Sequence, residues 1–332
     1  MASKSQDQEQ DLRFRSLSPE QKEQLMVQAA KLSYDLDMSM SDIGKEIGLT
    51  RWQVGRLLKD ARELGIVRID IVPTVQRLPE LEVRLQQKFG LREAIVVSNN
   101  GDDLAIAVDR ATQVVGSYLA AMSPRPSLVG VSWGRTMAAV ARWLPRRWTD
   151  GVDVVLLNGA TTLHSTPSRT NNIAELFAQA GNGRATLLPV PAIVGRATTR
   201  QVLEQDPVIA HALEMADRAP VALYSVGEMS ANSVLVQSGY LGESDVAELT
   251  RRGAVGDILG RFVDANGHVT DAELDARTIG LHPERLKEKA FSICVGVGAA
   301  KHAVMHAVLK SRFANVCVTD EQTAHYALEA KT

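Results

Sequence analysis

Arg51, Gln53, Arg56 and Lys59 recur through a short segment that begins Thr50-Arg51-Trp52-Gln53. On a helix they give an outer face rich in cations and amides, in a chain whose net charge is only −2. Cations of this kind neutralise phosphates; Arg can pair with guanine edges and Gln with adenine. Arg51, Gln53 and Arg56 are therefore the candidates for base edges, and Lys59 for phosphate. Trp52 either packs against a sugar-phosphate strand or covers a helix junction. A second set lies far along the chain, in Ser132-Trp133-Gly134-Arg135-Thr136. Two hydroxyls, a glycine and an arginine at the start of a helix suit an anion such as phosphate, because free backbone N–H groups point outward there. An ordinary strand-to-helix turn accounts for the same residues equally well. Lys301, at another predicted helix start, opposes the helix dipole; an anionic ligand or simple solvent exposure explains it. Asp257 could accept bonds from sugar hydroxyls or cap a turn.

The elements that must carry the first set read as a helix-turn-helix over 39–61. Ser39 with Asp42, and Thr50 with Gln53, have the spacing of N-caps with reciprocal partners. Gly44 permits close helix approach, and Gly48 permits the positive φ that ends the first helix. Ile43, Ile47, Leu49, Val54, Leu57 and Leu58 share one apolar face. Ser18-Pro19 opens an earlier helix with a Leu25, Ala29, Leu32 stripe. Alternation over Val67–Val72 predicts a strand and hence a winged variant, with Arg68 able to reach DNA. Residues 1–17 are polar and charged and are expected to be a disordered tail.

The second set belongs to a longer region. Residues 74–92 read as a linker and a helix with Leu78, Leu81, Leu85 and Phe89 on one stripe, packed on its own body or on a partner subunit. From residue 93 to 332, apolar runs at 94–97, 128–131, 152–157, 185–188, 221–226, 291–297 and 316–318 alternate with amphipathic segments. This β-α alternation predicts a Rossmann-like parallel sheet with helices on both faces, whose ligands bind beyond the carboxyl ends of the strands. A length of 332 residues and 45% hydrophobic content support about two domains, one of residues 18–73 and one from 93 onward. The two cysteines, Cys294 and Cys317, lie in apolar runs and read as buried thiols. His302 and His306 are one turn apart but lack a third ligand, so they read as helix-surface residues and no metal site is expected. No apolar run approaches the length of about 18–20 residues that spans a bilayer, so a cytoplasmic protein without a membrane partner is expected. No nucleophile, base and orienter stand together, and no catalytic residues or cofactors are expected.

Taken with the run Gly253-Ala-Val-Gly-Asp-Ile-Leu-Gly-Arg-Phe-Val-Asp-Ala-Asn-Gly267 and the C-terminal Val295-Gly-Val-Gly298, these motifs resemble the SorC family of bacterial sugar-binding transcriptional regulators, notably its deoxyribonucleoside-regulator type. The resemblance covers nearly the whole chain from about Glu20. It implies an effector domain similar to sugar-phosphate isomerases, a phosphorylated sugar or polyol as effector, and a tetramer on double-stranded operator DNA. It places phosphate at Gly134, Arg135 and Thr136. Asn158, Gly159, Glu228, Asp257 and Lys301 would face the sugar, beside Ser132 and Trp133. Some deoxyribose-phosphate-responsive relatives hold the aldehyde through a lysine near the end of the central strand, a region that reads Leu157-Asn158-Gly159 here. Asn cannot form a Schiff base, so a covalent effector bond is not expected. An isomerase fused to a DNA-binding module is the alternative function.

Overall fold

The computed structural model describes residues 18–67, 75–99, 103–160 and 173–330. The chain divides between residues 74 and 75 into two compact units.

In the first unit, helix α1 (Pro19–Tyr34) is followed by α2 (Met40–Ile47) and α3 (Arg51–Glu63). Their shared core contains Met26, Ala29, Ile43, Val54, Leu57, Leu58 and Ala61, all buried, with Leu25, Leu32, Ile47 and Leu49 packed against it. The sharp turn between α2 and α3 rests on two glycines. Gly48 takes φ +71° at the end of α2, and at Gly44 a Cβ would lie 2.5 Å from the Leu49 carbonyl oxygen. The Thr50–Gln53 capping box forms in both directions. The Ser39–Asp42 box forms in only one: Ser39 Oγ accepts from the Asp42 N–H, while the Asp42 carboxylate turns to the Ser39 hydroxyl and to Lys45 Nζ at 3.1 Å. Beyond Val67, the predicted wing strand with Arg68 lies outside the described residues, as does the tail of residues 1–17.

The second unit is built on a parallel sheet. Its strands are β1 (Glu93–Val97), β2 (Leu128–Val131), β3 (Asp153–Leu156), β4 (Arg184–Thr186), β5 (Val221–Gly227), β8 (Phe291–Gly296) and β9 (Val316–Asp320). They run in the order β1-β9-β8-β5-β2-β3-β4. A short antiparallel hairpin, β6 (Gly256–Ile258) and β7 (Arg261–Val263), branches from the carboxyl end of β5. Central strands such as Val129–Val131 and Ile293–Val295 are buried on both sides, as a sheet with two covered faces requires. All seven predicted parallel strands are present, displaced by at most a few residues. Helix α4 (Pro79–Phe89) buries Leu81, Leu85 and Phe89 in the core of this same unit. His306 departs from its expected place on a helix surface. It is 7% exposed, because its helix turns residues 304–309 into the core, where the ring meets Phe89 edge-on at 5.9 Å. Cys294 and Cys317 are buried free thiols opposite each other in the β8–β9 register.

Strand order locates the ligand crevice. From β2 the chain goes on to β3 and β4; from β5 it goes the other way, to β8 and β9. The connections leaving β2 and β5 therefore diverge, and a crevice opens between them at the carboxyl ends of the strands.

Candidate effector pocket and DNA-facing helix

The crevice holds most of the predicted effector residues. Ser132, Trp133, Gly134, Arg135, Thr136, Asn158, Glu228, Asp257 and Lys301 line one cavity. Gly134 takes φ +125° and ends the β2 connection where α6 (Arg135–Trp143) begins; a Cβ there would meet no atom within 4 Å. The helix has no side-chain cap, so its first-turn amides remain available to a ligand.

Lys301 is not a solvent-exposed cation. It closes a short 3₁₀ turn, Ala299–Lys301, and its Nζ donates to Ser225 Oγ at 2.9 Å and Thr136 Oγ1 at 3.4 Å. Burial lowers its pKa, and the neighbouring Arg135 adds to the shift, while Glu228 and Asp257 oppose it. Lys301 is half-buried, whereas Asp257, opposite in charge, is buried. Its Oδ2 accepts from the Gly260 N–H at 2.9 Å across the β6–β7 turn, and burial raises its pKa to about 6. It thus caps a turn and faces the cavity at once. Gly227 makes room for it: a Cβ there would collide with the carboxylate.

Arg135 is half exposed. Its Nη2 donates to the Asn232 carbonyl at 3.0 Å and lies 3.5 Å from Glu228 Oε1, so it bridges the two diverging connections. Ser132 Oγ and Asn158 Oδ1 are buried without a hydrogen-bond partner among the described residues. Buried polar atoms are normally paired, and these two are open to a ligand's hydroxyls.

Gly159 does not join the cavity. It packs against the next chain segment, where a Cβ would lie 2.4 Å from the Pro191 carbonyl oxygen. Sequence reasoning missed Ser225, Ser233, Leu235 and Gly260 in the lining. Ser225 was legible as part of a strand; only the pairing of β5 with β2 and β8 brings it to Lys301.

In the first unit, Arg51, Trp52, Arg56 and Lys59 are exposed on α3 and line a shallow groove with Met40 and Gly55. Among the described residues no carboxylate pairs with Arg51 or Arg56, whereas Lys59 lies 3.6 Å from Glu63. Trp52 stands outward and does not cover the helix junction. Ser39 and Thr50 act as helix caps. Gln53 does not face outward as expected. It is 2% exposed, and its Oε1 accepts from the Thr50 N–H at 2.9 Å, so the cap takes the amide oxygen that bidentate pairing with adenine would need.

A helix-turn-helix followed in the chain by a Rossmann-like domain points to a transcriptional regulator. Residues 74–329 match the family described as "Putative sugar-binding domain", and the chain belongs to it, among the SorC-type transcriptional regulators. It is similar to the deoxyribonucleoside regulator of Bacillus subtilis, 33% identical over 304 residues, covering 92% of this chain and 97% of that one. It is 28% identical over 311 residues to the sorbitol operon regulator of Klebsiella pneumoniae, with 92% and 98% covered. The crystal structure of the full-length sorbitol operon regulator SorC from Klebsiella pneumoniae aligns with a TM-score of 0.71 at 29% identity, covering 92% of this chain and 98% of that one. These relatives are named as regulators rather than enzymes, which removes the support for a fused isomerase. Among the described residues no helix is long and apolar enough to cross a membrane.

Proposed function

We propose that the protein binds operator DNA of a carbohydrate-catabolism operon through α3, with an affinity set by a phosphorylated sugar or polyol in the β2–β5 crevice. The observation that carries the ligand class is one convergence. The uncapped start of α6 and the Lys301 ammonium both reach Thr136, in a half-enclosed site. Backbone amides, a hydroxyl and a half-buried cation together are a receptor for a phosphate. Ser132, Asn158 and Asp257 supply acceptors for sugar hydroxyls. The names of the relatives, which include a sorbitol operon regulator and a deoxyribonucleoside regulator, support the carbohydrate class.

The protein works as a homo-oligomer, a tetramer on paired half-sites, in the cytoplasm. The effector favours an arrangement of subunits whose α3 spacing no longer matches the operator. Only a difference in effector affinity between the two arrangements is required. A coupling of about 1–3 kcal/mol changes operator affinity about 5–150-fold. Asn158 excludes a Schiff base at its position, so binding there is non-covalent.

A thermal-shift screen of phosphorylated pentoses, hexoses and polyols, each beside its unphosphorylated counterpart, tests the ligand class. A true effector at 100 times its Kd stabilises the fold by about 2.7 kcal/mol. The expected result is a rise in Tm with a phosphorylated compound and none with its counterpart. Equal rises with both would overturn the phosphate assignment. Operator reading is tested with Arg56→Ala. Loss of a bidentate base contact, about 1–3 kcal/mol, weakens selected DNA while leaving the effector-induced rise in Tm intact.

A further inference from the structure

Trp52 is the most exposed aromatic side chain of the core-forming elements in the first unit, at 68%. It sits at the second position of α3, directly after the Thr50 and Arg51 that open the helix. Nothing in the packing of α1–α3 calls for an indole there. One turn along, the Arg56 guanidinium carbon lies 5.8 Å from the centre of the Trp52 ring. Residues four apart on a helix are surface neighbours, and an arginine over an indole face is held by the ring's charge distribution. Arg56 has no carboxylate partner among the described residues, so this ring is what orients its guanidinium. Gly55 lies between them in the same groove, and a Cβ there would meet only Met40 Sδ, at an ordinary 3.6 Å. A glycine with room for a methyl group, inside a helix, keeps the outer surface low at this point.

We propose that Trp52 is a specificity-determining residue of DNA recognition, acting as a stacking platform that fixes the Arg56 fork toward a guanine edge. The inference rests on the DNA-binding reading above. Its logic is pre-organisation. A free arginine surrenders rotamer freedom on docking, whereas one already stacked loses less per hydrogen bond formed. The burial of Gln53 sharpens the assignment, because it leaves the Arg51, Trp52 and Arg56 side chains to carry base reading on this turn. The N-terminal residues of a recognition helix are the ones that reach base edges.

The test uses the full-length protein and a double-stranded probe selected on the wild type from a random-core DNA pool, with a scrambled duplex as control. Trp52→Ala is expected to weaken the selected probe about 3–30-fold, the range of an aromatic–guanidinium contact from exposed to desolvated. Binding to the scrambled duplex and the slope of log affinity against log salt stay unchanged, since no charge is removed. On an Arg56→Ala background the same substitution costs little, and Trp52→Phe recovers most of the loss. Two outcomes overturn the role of Trp52: losses that multiply independently in the double variant, or equal loss on selected and scrambled DNA. If the selection on the wild type yields no preferred sequence, DNA reading itself fails, and that is known before any variant is made.

Discussion

Helix α3 and the β2–β5 crevice hold Arg51, Arg56 and Lys301 in different ways. Arg51 and Arg56 are exposed on α3 without an ion-pair partner among the described residues, whereas Lys301 is half-buried and held by two hydroxyls. A solvated guanidinium pays little until a polyanion arrives and releases its counterions. A half-buried ammonium pays for desolvation at all times, and recovers that cost when an anion enters. The first arrangement suits a large surface that must be gripped and released. The second suits a small ligand whose arrival has to change the energetics of the domain around it.

Three substitutions test this contrast. The largest effect is expected at Asp257. Its folded-state pKa of about 6 lies above the usual 3.8, so the folded chain keeps a proton that the unfolded chain releases between those values. The stability this contributes is complete below pH 3.8 and is lost as pH rises through 6. Asp257→Asn removes the buried charge but retains an acceptor for Gly260. At pH 8 it should therefore stabilise the effector domain by about 3 kcal/mol, from roughly 1.4 kcal/mol per pKa unit. At pH 4 the gain should vanish. A gain independent of pH, read from denaturant unfolding at the two values, would show that Asp257 is solvated and not enclosed.

Lys301→Met comes next. Loss of a charged hydrogen bond to the ligand, about 1.5–3 kcal/mol, should remove most of the Tm rise produced by a phosphorylated effector. DNA affinity without effector should stay as it was. The smallest effect is expected at Gly55. Glycine inside a helix costs about 1 kcal/mol relative to alanine, and the structure has room for the methyl group. Gly55→Ala should raise the stability of the helix-turn-helix by about that amount while weakening DNA binding. A variant that gains in both would deprive the low surface at residue 55 of its role.

The two regions also differed in how far the sequence revealed them. The helix-turn-helix was legible because its signals are local: caps three residues apart, glycines at the turn, one apolar stripe. Its error was local too. The spacing that marks Gln53 as a capping partner also puts it among the polar residues of the recognition helix, and only the folded geometry shows that the cap takes it. The parallel sheet was legible from β-α alternation, but the small α8 (Ala197–Gln205), which buries no residue, and the β6–β7 hairpin gave no periodic signal. In the crevice, residues at strand ends were identifiable by type. Ser225 and Ser233 became site residues only through the order of strands. Gly159 shares its type and its neighbour with a site residue, yet the carbonyl of Pro191 claims its space.

The measurement that bears most directly on the regulator as a whole is operator affinity at fixed salt, with and without a phosphorylated compound that raises Tm, for the wild type and for Lys301→Met. Coupling between the two regions gives about a 5–150-fold change in the wild type and little or none in the variant, with both proteins binding equally before the compound is added. A compound that binds at the crevice yet leaves operator affinity untouched, or that acts equally on both proteins, would contradict it.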